Sequence, residues 1–142
     1  MSRTYIPVAL RNLVHERAKA ACEYCLIPEM ITFAPHQIDH VIAEKHGGAT
    51  EQDNLALACI LCNKHKGSDI ASVDPETGEI VALYNPRLDS WEEHFQLEEN
   101  GKIQPLTDIG RVTSQLLRFN TPERVSERRL LYELLKSEGK FA

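Results

Sequence analysis

The sequence has no apolar run approaching the ~20 residues that a membrane-crossing helix needs, which excludes a helical membrane span, and no membrane partner is expected. It lacks a secretory leader pattern. Its first residues, MSRTYIPVALRNLVHERAKAAC, carry charges where such a leader would be continuously apolar, so a cytoplasmic protein is expected. Repeats and low-complexity tracts are absent, which excludes solenoid and disordered architectures. A basic surplus is also missing: the net charge is −5, against the basic balance usual for nucleic-acid binders. Cysteine is sparse, at four residues, and these are grouped rather than scattered. What remains is ordinary for a soluble globular chain, with 42% hydrophobic and 26% charged residues. At 142 residues the expectation is one domain spanning 1–142.

The location of the charge softens the acidic total. Residues 1–66 carry seven Lys/Arg and seven Asp/Glu, and residues 67–108 carry two against ten. Residues 109–136 swing back, with Arg111, Arg118, Arg124, Arg128, Arg129 and Lys136 against three glutamates. An acidic insertion between a neutral and a basic segment leaves room for a local phosphate-binding face.

Local patterns predict an α+β chain. Pro7 suits a helix start, and Leu10, Val14, Ala18 and Ala21 recur at helical spacing, so a helix is expected over 7–21. His36 to Ile42 reads as a short β-rich run, Gly47-Gly48 as a loop, and Leu55 to Ala58 as a second strand. A short helix follows Cys62 and stops at Gly67. Further on, Ile80–Tyr84 reads as a strand, and Asn100-Gly101 as the turn of a hairpin flanked by 94–98 and 102–106. Asp108 is placed to cap a helix through Phe119, and Thr121-Pro122 to open a last helix to about Ser137.

The cysteines form two Cys-x-x-Cys pairs, Cys22/Cys25 and Cys59/Cys62. Two such knuckles supply the four soft ligands of a closed, structural Zn²⁺ site, a better reading in a reducing compartment than disulfides or isolated buried thiols. The 33-residue spacer from Cys25 to Cys59 exceeds that of a simple zinc ribbon, so something folded must occupy it. That segment holds Asp39-His40, Gly47-Gly48 and Asn54-Leu55, and Asn63, Lys64 and Lys66 follow Cys62.

In this order the motifs closely resemble the HNH endonucleases, over residues 22–67. More weakly, Tyr84-Asn-Pro-Arg87 and Trp91-Glu-Glu-His-Phe95 resemble segments that follow the core in some small members. The resemblance implies a ββα-metal (His-Me finger) core at 22–67 framed by zinc knuckles. An N-terminal helix (1–21) and a strand, hairpin and helical extension (68–142) would flank it. It implies a metal-dependent endonuclease that hydrolyses phosphodiester bonds in DNA. His40 would be the general base, Asn54 the brace of the loop between the strands, and Asp39 with Asn63 the holders of a divalent metal. Many members have His where Asn63 stands; an oxygen pair suits Mg²⁺ or Mn²⁺. No nucleotide cofactor is implied, and either a monomer or a homodimer is compatible.

The residue types make sense on chemical grounds alone. Phosphodiester cleavage gathers charge on oxygen, which a cation stabilises, and it needs a base such as an imidazole to activate water. One difficulty is geometric: neighbours on a regular strand face opposite ways, so β structure must end or twist at Asp39-His40 for both to serve one site. Other candidates have two readings each. Lys64, Lys66 and Arg87 are candidate phosphate contacts, but a charged short helix and carboxylate pairing account for them equally. His36 lines the site or packs, His46 and His65 are expected in solvent, and Trp91 and Phe95 are expected in the core. The rival to a nuclease is a catalytically inactive zinc-stabilised module that binds nucleic acid or protein; a redox or zinc-dependent switch is a third reading, and neither needs Asp39, His40 and Asn63 together.

Overall fold

Helix α1 spans Val8–Arg17 and lays Val14, with Leu10 and Ala18, against Ile6, Leu55 and Leu57. The expected continuation to residue 21 fails. The chain leaves the helix at Ala18 and adopts positive φ at Lys19 (55°) and Ala20 (57°), a reversal that delivers Cys22 inward. The computed structural model describes residues 4–139, so the outermost positions of the 1–142 and 1–21 boundaries lie outside the described residues. Among those described, no helix is long and apolar enough to cross a membrane.

The architecture is α+β. After the first knuckle comes the short helix α2, Glu29–Thr32. Strand β1 (Gln37–His40) pairs antiparallel with β2 (Leu55–Ala58) in the register Gln37↔Ala58 to His40↔Leu55. Helix α3 (Ile60–Lys66) completes this core and stops at Gly67, whose φ is +53°. Two more antiparallel pairs follow. Strands β3 (Ala71–Val73) and β4 (Ile80–Ala82) form one, and β5 (Phe95–Leu97) and β6 (Ile103–Pro105) form the other, after the short helix α4 (Trp91–His94). Helices α5 (Asp108–Leu116) and α6 (Pro122–Ser137) end the fold.

Strand β2 is buried at all four positions, so it reads as a continuous apolar run rather than an alternating one. Its side chains nevertheless divide by face: Leu55 and Leu57 meet α1, while Ala56 and Ala58 join the larger core around the cysteines, Tyr84, Phe95 and Phe119. Phe95 is 1% exposed and Trp91 packs on it at 5.1 Å between ring centroids, so both aromatics are core residues, as expected. One cap differs from expectation. Thr107, not Asp108, caps α5: its extended backbone brings Oγ1 to the Gly110 N–H at 3.1 Å.

The β1–β2 connection is tied by Asn54. Its Oδ1 accepts the Ile42 N–H at 2.9 Å, and its Nδ2 donates to Ile42 O at 2.9 Å and Ala49 O at 2.8 Å. This closeness requires Gly48, where a Cβ would stand 1.7 Å from Ile42 O. Gly47 has φ +89° but open space around it. We therefore expect Gly48→Ala to cost about 3 kcal/mol by overpacking against backbone and Gly47→Ala only about 1 kcal/mol from backbone strain. Denaturant unfolding of the two variants measures the difference, and equal losses would refute this account of the loop.

Candidate functional site

The two knuckles are built alike. In each, the first cysteine's sulfur accepts the backbone N–H of the second at 3.4 Å. Cys59 thereby caps α3, so the second knuckle and the helix start are one structure. All four thiols are buried, and their sulfurs lie within 4.8 Å of one another. Cys25 Sγ and Cys59 Sγ are 3.7 Å apart. A tetrahedron with metal–sulfur bonds of ~2.3 Å has an edge of about 3.8 Å, so the cluster fits a structural Zn²⁺. Its electrostatics point the same way. Burial pushes the Cys22 and Cys62 thiols up. Burial also opposes charge on Cys25, yet hydrogen bonds from Cys22, Cys59 and Cys62 hold it well below the usual thiol range. Bare thiols here divide the charge among themselves; a divalent ion lets all four be thiolates.

The outer edge of β2 is occupied. Glu23 donates its N–H to Leu57 O at 2.8 Å and accepts the Leu57 N–H on its carboxylate at 2.7 Å. Arg17 and Arg87 both donate to Leu55 O. The edge of β1 is different: all four of its residues line a cleft of about 830 Å³. Asn63 comes to the same cleft from α3, and Arg11, Glu44 and Lys45 come from α1 and the loop after β1. An edge strand offers residues of both faces to one groove, and β1 ends at His40. Adjacent side chains at 39 and 40 thus border one space.

Within it, His40 is 7% exposed, with Nε2 2.9 Å from Thr50 Oγ1. Asn63 donates Nδ2 to Gln37 Oε1 at 2.6 Å, which orients the amide and leaves its oxygen as the atom for a cation. Asp39 is 4% exposed and is held by the Tyr24 hydroxyl, donating to Oδ2 at 2.7 Å, and by the Lys66 ammonium, 3.1 Å from Oδ2. Burial raises the Asp39 pKa, and the Lys66 charge and the Tyr24 hydrogen bond oppose that rise. Asp39 and Asn63 are hard oxygen donors of the kind Mg²⁺ or Mn²⁺ takes, so the donor set fits such an ion in chemistry. Any ion there shares the carboxylate with Lys66.

Several candidate phosphate contacts sit elsewhere than expected. Lys66 is 2% exposed, and its ammonium also donates to His40 O (3.2 Å) and Val41 O (3.1 Å), which removes it from any phosphate surface. The helix that carries it turns this face onto β1, and a buried carboxylate there demands a cation. Arg87 pairs with Glu23 at a part-buried site, the carboxylate reading of the two. Lys64 is exposed on α3. Of the C-terminal arginines, Arg124 and Arg128 are buried and Arg111 pairs with Asp74 at 2.8 Å. His36 packs, with Nε2 2.8 Å from Ile27 O, while bordering the cleft. His46 is exposed; His65 is partly covered, and this burial, with Arg118, Arg124 and Lys64 nearby, lowers its pKa. Tyr24, Thr50, Gln37 and Arg11 were not singled out by the sequence. Only Tyr24 carries a signal, by lying inside a knuckle.

Hairpin, following helix and knuckles define the class: residues 22–69 match the family model for HNH endonuclease, a segment that contains both cysteine pairs, Asp39, His40, Asn54 and Asn63. The resemblance read from the motifs is therefore shown over this segment. A relative of the chain is the Septu protein PtuA of Bacillus mycoides (strain KBAB4), 28% identical over 92 residues, which amount to 58% of this chain and 13% of that protein. The chain thus matches only a small part of that relative.

The reassignment of Lys66 is testable. Removing one partner of a buried ion pair costs about 3 kcal/mol or more, whereas an exposed lysine changes stability by roughly 0.5 kcal/mol at most. Lys66→Met is expected to show the first loss and Lys64→Met the second in denaturant titrations of the zinc-loaded protein. A Lys66 variant as stable as the Lys64 variant would return Lys66 to the surface.

Proposed function

We propose that this chain is a metal-dependent endonuclease that hydrolyses phosphodiester bonds in DNA, within the β1-edge cleft. The observation that carries this reading is the one cleft bordered by an imidazole, a buried carboxylate and an oriented amide, in a segment of nuclease family. His40 takes the proton of the attacking water. An imidazole is a side chain suited to accepting that proton, and Thr50 sets the ring's orientation by engaging Nε2. Asn54 keeps the loop closed so that His40 stays at the cleft. Asp39 and Asn63 would hold a divalent ion, which when bound neutralises charge developing on the phosphate oxygens. Tyr24 and Lys66 fix the carboxylate that would receive it.

The substrate backbone also needs cations at the surface, and Lys66 and Arg87 are engaged internally. Arg11 and Lys45 take that place. Both are exposed and border the cleft. Among the described residues neither forms an ion pair, and Arg11 is steadied by its Nε donating to Ile6 O at 3.1 Å.

Nicking of supercoiled plasmid in Mg²⁺ or Mn²⁺, with an EDTA control, tests the catalytic reading. His40→Ala is expected to lose about 10²- to 10⁴-fold in rate, the usual contribution of a general base, with bound zinc and circular dichroism unchanged. Equal cutting by the variant would reject His40 as the base. Binding is tested separately on the His40→Ala background, where DNA survives. Arg11→Gln and Lys45→Gln should each lower the slope of log affinity against log salt by about 0.9, and unchanged slopes would remove both side chains from the phosphate path.

A further inference from the structure

A tetrahedral zinc on four thiolates carries a net charge of about −2, and the four cysteines that would hold it are buried. Such a centre needs compensation close by. The backbone N–H groups of Cys25 and Cys62 supply part of it, each reaching a sulfur at 3.4 Å. Among the described residues, one full positive charge touches the cluster. Arg124, on α6, is 5% exposed, and its Nη2 lies 2.9 Å from Cys62 Sγ and 3.5 Å from Cys59 Sγ. Its other arm, Nη1, donates to Leu117 O at 2.6 Å and Arg118 O at 3.1 Å, at the end of α5. The guanidinium is therefore clamped between the α5–α6 corner and the metal ligands. A lysine, whose donors all sit on one nitrogen, lacks the planar fork that spans the two sides here. The neighbouring buried arginine has another job: Arg128 donates to Gly101 O, Phe119 O and Asn120 Oδ1, all away from sulfur.

We infer that Arg124 is the counter-cation of the four-cysteine metal centre, donating hydrogen bonds to Cys59 and Cys62 thiolates and making the C-terminal helix part of the site that retains the metal. Residue 124 lies well beyond the segment that matches the family model, 22–69. Hydrogen bonds and positive charge withdraw electron density from sulfur, so the thiolates bind protons and external electrophiles less readily while keeping the metal. Access matters as well. A cavity of about 210 Å³ borders Cys25, Cys59 and Arg124, so a chelator coming from that side passes the guanidinium. The dependence runs both ways: without a divalent ion that lets all four sulfurs be thiolates, Arg124 faces less negative charge and the attachment of α6 weakens.

The test uses the full chain, loaded with Zn²⁺ or with Co²⁺ in its place, as wild type, Arg124→Gln, Arg124→Lys and Arg128→Gln. Loss of an outer hydrogen bond to a ligand typically weakens metal affinity about 10- to 100-fold. Arg124→Gln is expected to fall in that range in competition with a chromogenic zinc chelator. Its cobalt form should show the sulfur-to-cobalt charge-transfer band at longer wavelength, because sulfur electrons are less stabilised. Arg124→Lys, which keeps the charge but not the fork, should lie between. Arg128→Gln separates this from mere loosening of α6: it should lower thermal stability while leaving the band in place. An Arg124→Gln protein with an unmoved band and wild-type zinc affinity would overturn the inference, as would a band shift of equal size in Arg128→Gln. Neither result bears on whether His40 cuts DNA.

Discussion

Four sulfur atoms brought together from two knuckles hold the rest of the molecule in place. Their convergence joins a segment that ends at Cys25 to one that begins at Cys59, and β1 with the loop after it, which border the cleft, lie between the two. The first knuckle contains Glu23, which closes the outer edge of β2, and Tyr24, which reaches Asp39. The second is itself the N-cap of α3, and that short helix carries Asn63 to the cleft and Lys66 beneath it. A seven-residue helix and a hairpin of two four-residue strands are too short to persist alone in water. A metal that tied both ends would remove that problem by supplying binding energy directly to folding.

The distribution of charge follows a second constraint. In a chain of net charge −5, most of the cations that look available for a phosphate are used internally. Lys66 neutralises Asp39, Arg87 meets Glu23, Arg111 meets Asp74, Arg124 meets the thiols and Arg128 meets backbone carbonyls. Each of these stands where an anion or an unpaired carbonyl has been buried, and leaving any of them alone would cost more than the pairing does. The residual positive side chains at the cleft are consequently few.

Much of the core was legible from the residues. The Cys-x-x-Cys spacing, the Gly47-Gly48 loop, the apolar run at 55–58 and the stop at Gly67 are local signals, and each predicted element is there. The hairpin around Asn100-Gly101 and the helix opened by Pro122 were equally plain. Misreadings came where a distant partner decided the matter. Helical spacing continues to Ala21, but the need to turn Cys22 toward its metal site ends α1 at Arg17. Strand β3 has little apolar pattern of its own and exists because β4 pairs with it.

For the site, spacing along the chain determined the cysteine centre, since paired thiols three residues apart are a metal-ligand pattern, while Asn54 and the set Asp39, His40 and Asn63 were picked out by the resemblance of the motifs around them. Tertiary structure alone decided which face of α3 is inside, and hence that Lys66 belongs to Asp39. It alone brought Thr50 to His40, Arg11 to the cleft and Arg124 to the thiols across 62 residues of chain. The reason is physical: a charge or a hydrogen bond in a protein answers to whatever lies a few ångströms away in space, and no pattern along the chain records that distance.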